Sequence, residues 1–196
     1  MPDFEDYVGF KKTQGSEKFE RYKLKTNRLV LIAATCDHIN AELESNAKLA
    51  MLLNAEISSN WPPGEYDRNA QEYFKARLED GGLPVSGWYV WYALLPKTPD
   101  RPSTLIGSAG YFGPPTPKGD VEIGFSVMGK WQNKGYATEI AKALIANAFR
   151  DSRTFKVVAH ALPDNLPSCK VLTKCGFHYV GIDEESGYNR FEILRP

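Results

Sequence analysis

The spacing of apolar residues separates a mainly helical first part of the chain from a strand-rich second part. Residues 28–32 form a short apolar run that is typical of a buried strand. Residues 38–58 then place apolar side chains at helical spacing, and the Trp-Pro-Pro-Gly segment at 61–64 ends that pattern. Asp67 begins another helical stretch, which stops at the glycine pair 81–82. The first part therefore predicts one strand followed by two helices.

The periodicity changes after this glycine pair, where aromatic and β-branched residues become frequent. The pattern predicts strands at 88–95, 104–112, 121–128 and 156–162, helices at 136–150 and 165–174, and a terminal hairpin over 178–193. Strands and helices that follow each other in this order predict a mixed α/β sandwich built on one central sheet.

The N-terminal residues 1–23 differ from the rest, because their aromatic side chains stand among many charges without a regular period. We expect an N-terminal extension that packs on the body or on a partner, and one domain over residues 24–196. The aromatic residues of this extension make a homodimer one expectation for the oligomeric state.

Charge and hydropathy limit the partners that the chain can have. Lysine and arginine number 24, as do aspartate and glutamate, so the formal net charge is zero. This balance does not favour binding to nucleic acid. No apolar run approaches the roughly 18 residues that can span a bilayer, and the acidic N-terminus does not fit a secretory signal. We expect a soluble cytoplasmic protein without a nucleic-acid or membrane partner.

Cysteine and histidine residues are dispersed along the chain rather than grouped. Their positions show neither the spacing of a zinc site nor a disulfide framework: Cys36, Cys169, Cys175, His38, His160 and His178. We therefore expect no metal in the site.

Residues 124–149 contain the most informative local pattern, a strand that leads through a short loop into a helix. The loop carries Gln132, Gly135 and Ala137, small or polar residues that leave backbone N–H groups open at a helix N-terminus. Such a terminus binds phosphate or pyrophosphate. Taken alone, the loop is equally typical of ordinary turn chemistry. No Walker-type or dinucleotide-binding glycine motif is present.

Four motifs in order resemble the GNAT superfamily of acetyl-CoA-dependent N-acetyltransferases, and within it the branch of ribosomal-protein-alanine acetyltransferases. Residues 132–137 (QNKGYA) match the pyrophosphate motif Q/R-x-x-G-x-G/A. Residues 165–168 (NLPS) and 171–177 (VLTKCGF) resemble the block N-x-x-S…V-L-x-K-x-G-F. Residues 121–125 (VEIGF) resemble the strand before the loop, and residues 28–31 resemble the opening R-L-x-L strand.

The resemblance implies an α/β (α+β) fold with a mixed, mostly antiparallel central sheet of about seven strands. Helices would cover both faces, and two strands would splay apart at the cofactor site. It also implies acetyl-CoA as co-substrate, with its pantetheine arm on the backbone of one splayed strand and its pyrophosphate on the loop. The cofactor-binding residues implied in this way are Phe125, Val127, Gln132, Asn133, Lys134, Gly135, Tyr136, Ala137, Thr138, Asn165 and Ser168.

Two catalytic residues follow from the resemblance. Glu122 is the candidate general base, acting through water, although it is equally a candidate structural carboxylate. Ser168 is the candidate proton donor to the leaving thiolate, although an early helical serine is also a common local cap. Many members carry a tyrosine as the acid where this chain has Leu172, which leaves the identity of the acid open.

The function implied is transfer of an acetyl group from acetyl-CoA directly to a primary amine, on a protein N-terminus or on a small molecule. The alternative is a non-catalytic module that binds CoA as a sensor or regulator. The acceptor side is less determined. The aromatic residues Trp61, Trp88, Trp91 and Tyr92 are candidates for an acceptor pocket, and the hydrophobic core is the commoner place for such side chains.

Overall fold

The computed structural model of the protein describes residues 22–196. The predicted N-terminal extension therefore lies outside the described residues, except for Tyr22 and Lys23. The strands are β1 (Lys23–Lys25), β2 (Val30–Ala33), β3 (Val90–Leu95), β4 (Thr104–Tyr111), β5 (Asp120–Val127), β6 (Lys156–Ala161), β7 (His178–Ile182) and β8 (Asn189–Leu194). The helices are α1 (Cys36–Glu44), α2 (Asn46–Leu53), α3 (Arg68–Gly81), α4 (Tyr136–Ala148) and α5 (Leu166–Lys174), with 3₁₀ turns at Leu83–Trp88 and Gly129–Trp131.

All eight strands form one sheet in the order β1-β2-β3-β4-β5-β6-β8-β7. Every neighbouring pair is antiparallel except β5 and β6, which run parallel. The prediction of a mixed, mostly antiparallel sheet is confirmed. The three-residue β1, which carries no separate signal in the sequence, brings the number of strands to eight.

Helices cover both faces of the sheet, as predicted. Alternate residues of β3 point to opposite faces: Trp91 packs into a core with Leu144 of α4, whereas Tyr92 packs into a second core with Ile39 of α1 and Phe74 of α3. This second core takes no side chain from β5, β6, β7 or β8. The apolar side chains of α1, α2 and α3 therefore pack on β2, β3 and β4.

The helical region after β2 differs from the prediction of one helix over 38–58. Two short helices replace it, because Ser45 adopts an extended backbone and its side chain accepts from the Lys48 N–H to begin α2. Asn54 then ends α2 in the left-handed conformation, with φ of 45°. The apolar residues keep a helical spacing across Ser45, and a single serine or asparagine is a weak stop signal. The sequence pattern therefore predicts one helix where the structure has two.

The parallel strands β5 and β6 separate after a short contact. They pair only where Asp120, Val121 and Glu122 face Lys156, Val157 and Val158. Farther along, β5 continues beside β4 and β6 continues beside β8. The splayed strand pair that the resemblance implies is therefore present, and we call the space between these strands the strand split.

Candidate active site

Backbone groups of β5 face the strand split. Along one edge of β5, the Glu122 carbonyl accepts from Phe112 N–H, and Met128 N–H donates to Ile106 on the β4 side. Because successive residues of a strand alternate in direction, the odd-numbered Phe125 and Val127 direct their N–H and C=O groups toward the split. An extended ligand can bond there as an added strand. These are the two residues that the resemblance assigns to the pantetheine arm.

Gln132 occupies part of this edge through its side chain. Its Nε2 donates to the Val127 carbonyl at 2.8 Å and so ties the loop to the end of β5. The Val127 carbonyl is therefore engaged, and the Val127 N–H and the Phe125 backbone remain for a ligand. The side chain of Gln132 orders the loop, while its neighbours supply the open N–H groups.

The loop between β5 and α4 forms an anion cradle. Among residues 22–196, no group accepts a hydrogen bond from the backbone N–H groups of residues 133–138, and the first bond of α4 runs from Glu139 N–H to the Gly135 carbonyl. Gly135 has a φ of 79°, in the left-handed region that favours glycine. With the dipole of α4, these groups fit a pyrophosphate, which supports acetyl-CoA as the ligand.

The other predicted loop residues lie around this cradle. Asn133 and Lys134 are exposed, and the Lys134 ammonium donates to the Lys130 carbonyl and lies 4.9 Å from the Trp131 ring centroid. Tyr136, Ala137 and Thr138 form the half-buried first turn of α4. All of them therefore surround the same helix N-terminus.

Arg28, in the turn between β1 and β2, anchors the cradle from outside. Its Nη1 donates to the Lys134 carbonyl at 2.9 Å, its Nε pairs with Glu139 at 2.7 Å, and its guanidinium lies 4.4 Å from the Tyr136 ring centroid. Glu139 also accepts from Thr26. Burial raises the pKa of the Glu139 carboxyl, but the Thr26 and Arg28 hydrogen bonds outweigh burial and lower it. A charged Glu139 thus links the first strands to the loop.

The N-terminus of α5 lies at the same edge of the sheet as the cradle, because α4 and α5 follow the carboxyl ends of two parallel strands. Asn165 caps α5, with its Oδ1 accepting from Ser168 N–H at 3.2 Å. The Ser168 hydroxyl takes no part in that cap and is half-buried. Leu172, where many superfamily members have a tyrosine, is buried in the core and offers no acid.

Glu122 and His160 meet where the strands part. His160 Nδ1 lies 2.8 Å from Glu122 Oε1, and the other ring nitrogen, Nε2, lies 3.5 Å from Nη1 of Arg190. Nε2 also lies 3.9 Å from Asp183 Oδ2. An ionised carboxylate only accepts hydrogen bonds, so Nδ1 carries the proton that is donated to Glu122. Among the described residues, no hydrogen-bond partner reaches Glu122 Oε2. The carboxylate therefore has one held oxygen and one available oxygen.

The aromatic residues considered for the acceptor pocket belong to the cores. Trp91 and Tyr92 are fully buried, Trp61 is 6% exposed, and Trp88 packs against Tyr111 with ring centroids 5.3 Å apart. The structure therefore favours the expectation that these side chains belong to the hydrophobic core and not to an acceptor pocket.

A buried carboxylate explains part of this aromatic packing. Glu42 of α1 accepts from Trp61 Nε1 at 2.6 Å and from the hydroxyls of Tyr66 and Tyr92, each at 2.7 Å. Burial raises the pKa of the Glu42 carboxyl, because these hydrogen bonds offset only part of the desolvation. The cluster fastens residues 61–66 to the sheet. In this segment, a Cβ built on Gly64 would stand 2.7 Å from Ser126 Oγ, so the segment closely approaches β5.

Comparison with known proteins agrees with this geometry. Residues 28–178 match the family model described as Acetyltransferase (GNAT) domain. The uncharacterized N-acetyltransferase YjdG of Bacillus subtilis is 27% identical over 154 residues, which are 79% of this chain and 88% of YjdG. Because the family model spans well over half of the chain, the protein belongs to the GNAT acetyltransferases. The resemblance to that superfamily is confirmed, and with it an acyltransferase activity that uses acetyl-CoA.

Solved structures show the same fold. The ribosomal L7/L12 alpha-N-protein acetyltransferase RimL, in complex with coenzyme A, superposes with a TM-score of 0.61 at 18% identity, covering 88% of this chain and 97% of RimL. An acetyltransferase from Agrobacterium tumefaciens superposes with a TM-score of 0.60 at 22% identity, covering 88% of this chain and 94% of that protein. Within residues 22–196, no helix is both long and apolar enough to cross a membrane.

Several residues of the site escape the sequence motifs. Arg28 is seen in the sequence only as part of a strand motif, and Glu139 is an ordinary early helical acid, yet the two meet across the fold. His160 is one of three scattered histidines, and Glu42 is one acid among many. Their roles depend on strand register and burial. The one sequence feature that could have found His160 is the two-residue period of β6, which puts His160 on the same face as Val158, the residue that pairs with Glu122.

Proposed function

We propose that this protein transfers the acetyl group of acetyl-CoA directly to a primary amine, on a small molecule or a protein N-terminus. The observation that carries the proposal is the strand split itself. It has an anion cradle at one end and a half-exposed carboxylate, Glu122, at the point where the strands part. The RimL likeness keeps a protein N-terminus among the acceptors to be tested.

In this proposal, different residues bind different parts of acetyl-CoA. The N–H groups of residues 133–138 hold the pyrophosphate, and the backbone of Phe125 and Val127 holds the pantetheine arm. Asn165 and Ser168 lie beside the thioester. When bound, acetyl-CoA supplies the activated acetyl group, and the described residues then orient it and manage protons.

Glu122 is the proposed base and Ser168 the proposed acid. Glu122 Oε2 takes a proton from the incoming ammonium, directly or through water, so that the neutral nitrogen can attack the thioester carbonyl. As the carbon–nitrogen bond forms and the carbon–sulfur bond breaks, the nitrogen releases its second proton to solvent to give a neutral amide, and Glu122 then returns its own proton to solvent. Ser168 donates a hydrogen bond or proton to the departing sulfur, and solvent restores the Ser168 proton. No acetyl group is attached to the protein during this sequence.

The test measures release of the CoA thiol from acetyl-CoA with a panel of primary amines and N-terminal peptides. An acetyltransferase releases thiol in proportion to the acetylated amine. A CoA sensor raises the melting temperature with acetyl-CoA but releases no thiol with any acceptor. The Ser168→Ala variant then tests the acid, with Thr173→Ala on the exposed side of the same helix as control. Loss of thiol release in the former alone supports the assignment.

A further inference from the structure

Within residues 22–196, the Glu122 side chain is 38% exposed on the face of the sheet away from α4. Val121 and Ile123 of β5 pack into the core beneath α4, so Glu122 and Ser126 project from the opposite face. The core of α1, α2 and α3 contains no side chain of β5 on that face. A molecule that enters the strand split from this side can therefore reach the Glu122 carboxylate.

Phe112 forms an aromatic surface next to this carboxylate. It follows β4 directly and donates its backbone N–H to the Glu122 carbonyl at 3.1 Å. Its ring lies against Gly124, since a Cβ built there would stand 3.3 Å from the ring carbon Cε2. The absence of a side chain at Gly124 lets the ring rest on the strand. Phe112 is nevertheless 49% exposed, so much of the ring faces solvent.

The aromatic surface continues away from the split. The ring centroid of Phe112 lies 6.0 Å from that of Phe74 on α3, and Phe74 lies 5.3 Å from Tyr73. Phe74 is buried, whereas Tyr73 is 43% exposed. We call Phe112, Phe74 and Tyr73 the aromatic strip. It leads from the strand split toward the surface of α3.

The Glu122 carboxylate, which lies at the end of the aromatic strip nearest the strand split, is held in place by a hydrogen bond. His160 donates to Glu122 Oε1, and Oε2 has no hydrogen-bond partner among residues 22–196. An aromatic face attracts a cation through its quadrupole, and a carboxylate attracts it through charge and hydrogen bonds. The aromatic strip beyond them can cover an apolar group, and the Arg77 guanidinium lies 5.1 Å from the Tyr73 ring centroid at its far end.

We propose that the acceptor is a primary amine that binds as an ammonium between the Phe112 ring and the Glu122 carboxylate and is attached to an aromatic or similarly flat apolar group on the aromatic strip. This inference deepens the proposed acetyl transfer and rests on it for the role of the amine as acceptor. Binding of the amine to Phe112 and Glu122 can be measured separately from acetyl transfer, in the absence of turnover.

Calorimetric titration of the full-length protein with excess CoA tests the recognition. The probe is 2-phenylethylamine, with 2-phenylethanol as its uncharged analogue and ethanolamine as an amine without a ring. We expect 2-phenylethylamine to bind about tenfold more tightly than either control, because only it has both the charge and the ring. Equal binding of 2-phenylethanol, or no binding of 2-phenylethylamine, would overturn the inference.

Substitutions locate the binding. Phe112→Ala is expected to weaken 2-phenylethylamine binding about tenfold, and Phe112→Leu to weaken it by less, because leucine keeps the apolar contact but has no ring quadrupole. Phe155→Ala is the matched control, since Phe155 is 60% exposed just before β6. If Phe112→Ala fails to fold, Phe112→Leu carries the test. Unchanged binding in a folded Phe112 variant contradicts the inference.

The binding and thiol-release experiments together distinguish failure of this inference from failure of the proposed acetyl transfer. Ring- and charge-dependent binding without thiol release would contradict acetyl transfer while leaving the recognition intact. Thiol release that is indifferent to the Phe112 substitutions would support transfer and overturn the recognition. A peptide with an N-terminal phenylalanine, titrated in parallel, shows whether a small amine or a peptide N-terminus supplies the same chemical group.

Discussion

His160 Nδ1 lies 2.8 Å from Glu122 Oε1 and joins β5 to β6 at the position where their backbone pairing ends. The backbone partner of Glu122 is Val158, so His160 reaches back from beyond the last paired residue. A side-chain bond thus holds the carboxylate at the narrow end of the strand split. This arrangement suits the proposed role of Glu122 as base, because it fixes the position of the carboxylate.

Removing the charge of Glu122 tests its role as base. We expect Glu122→Gln to lower kcat by a factor of roughly 10² or more, the usual contribution of a general base. The Kd for CoA should stay unchanged, because Glu122 lies outside the anion cradle. Steady-state rates with a confirmed acceptor and CoA titration provide the two readouts. Wild-type kcat over the whole pH range would contradict the role.

The hydrogen bond from His160 is tested by a pair of substitutions. His160→Ala removes the donor and should lower kcat about tenfold or more, in line with a hydrogen bond to a charged group. His160→Asn can present an amide N–H near the position of Nδ1 and should recover part of that loss. Equal rates for the alanine and asparagine variants would show that His160 does not position Glu122.

Arg28 allows the anchoring of the loop to be measured separately from chemistry. Arg28→Ala removes the contacts to Lys134 and Glu139, so we expect the Kd for CoA to rise about two- to tenfold, since an exposed ion pair contributes little alone. The kcat at saturating acetyl-CoA should remain close to wild type. Arg68→Ala, which breaks an exposed pair with Glu72 on α3, is the control. A fall in kcat with unchanged Kd would contradict this account.

Glu42 allows a prediction about stability. Glu42→Ala removes the carboxylate that accepts from three buried donors, although Tyr66 and Tyr92 also bond each other. At about 1 kcal/mol for each lost bond, the free energy of unfolding should fall by about 2–3 kcal/mol. Urea unfolding measures this difference. Glu44→Ala, an exposed neighbour on α1, should change stability little. A loss for Glu42→Ala no larger than that of the control would show that the cluster is not structural.

The same residue predicts a pH dependence. Burial raises the pKa of the folded-state Glu42 carboxyl above its ordinary value of 4.5. The folded protein therefore binds the Glu42 proton more tightly than the unfolded chain does. The stabilisation that results is fully present below the ordinary pKa of 4.5, and it is lost as the pH rises through the raised pKa of the folded state. The stability of wild type relative to Glu42→Gln should fall from about pH 4 upward, and a difference that grows with pH would contradict this.

The sequence predicted the parts of the protein that depend on local pattern. Strands β4 and β5 and helices α3 and α4 lie within a few residues of their predicted bounds, because each has a clear period and a clear stop. The anion cradle was also predictable, since its glycine and the helix after it are contiguous. The family motifs then indicated two strands that splay apart, and the structure shows that these two strands run parallel.

The remainder depends on contacts between distant segments. The Arg28–Glu139 pair joins residues 111 positions apart, and the Glu42 cluster joins α1 to residues 61–66 and to β3. The pairing of His160 with Glu122 needs the register of β5 and β6, which no local period contains. The exposed ring of Phe112 depends likewise on the bare backbone of Gly124 in the next strand.

The most direct test of direct acetyl transfer compares, in one reaction, the CoA thiol released with the N-acetylated amine formed, while mass spectrometry follows the intact protein. We predict equal amounts of thiol and acetylated amine, no acetyl group on the protein, and loss of both products in Glu122→Gln. Thiol release without acetylated amine, or an acetylated protein that later passes its acetyl group to the amine, would contradict the mechanism.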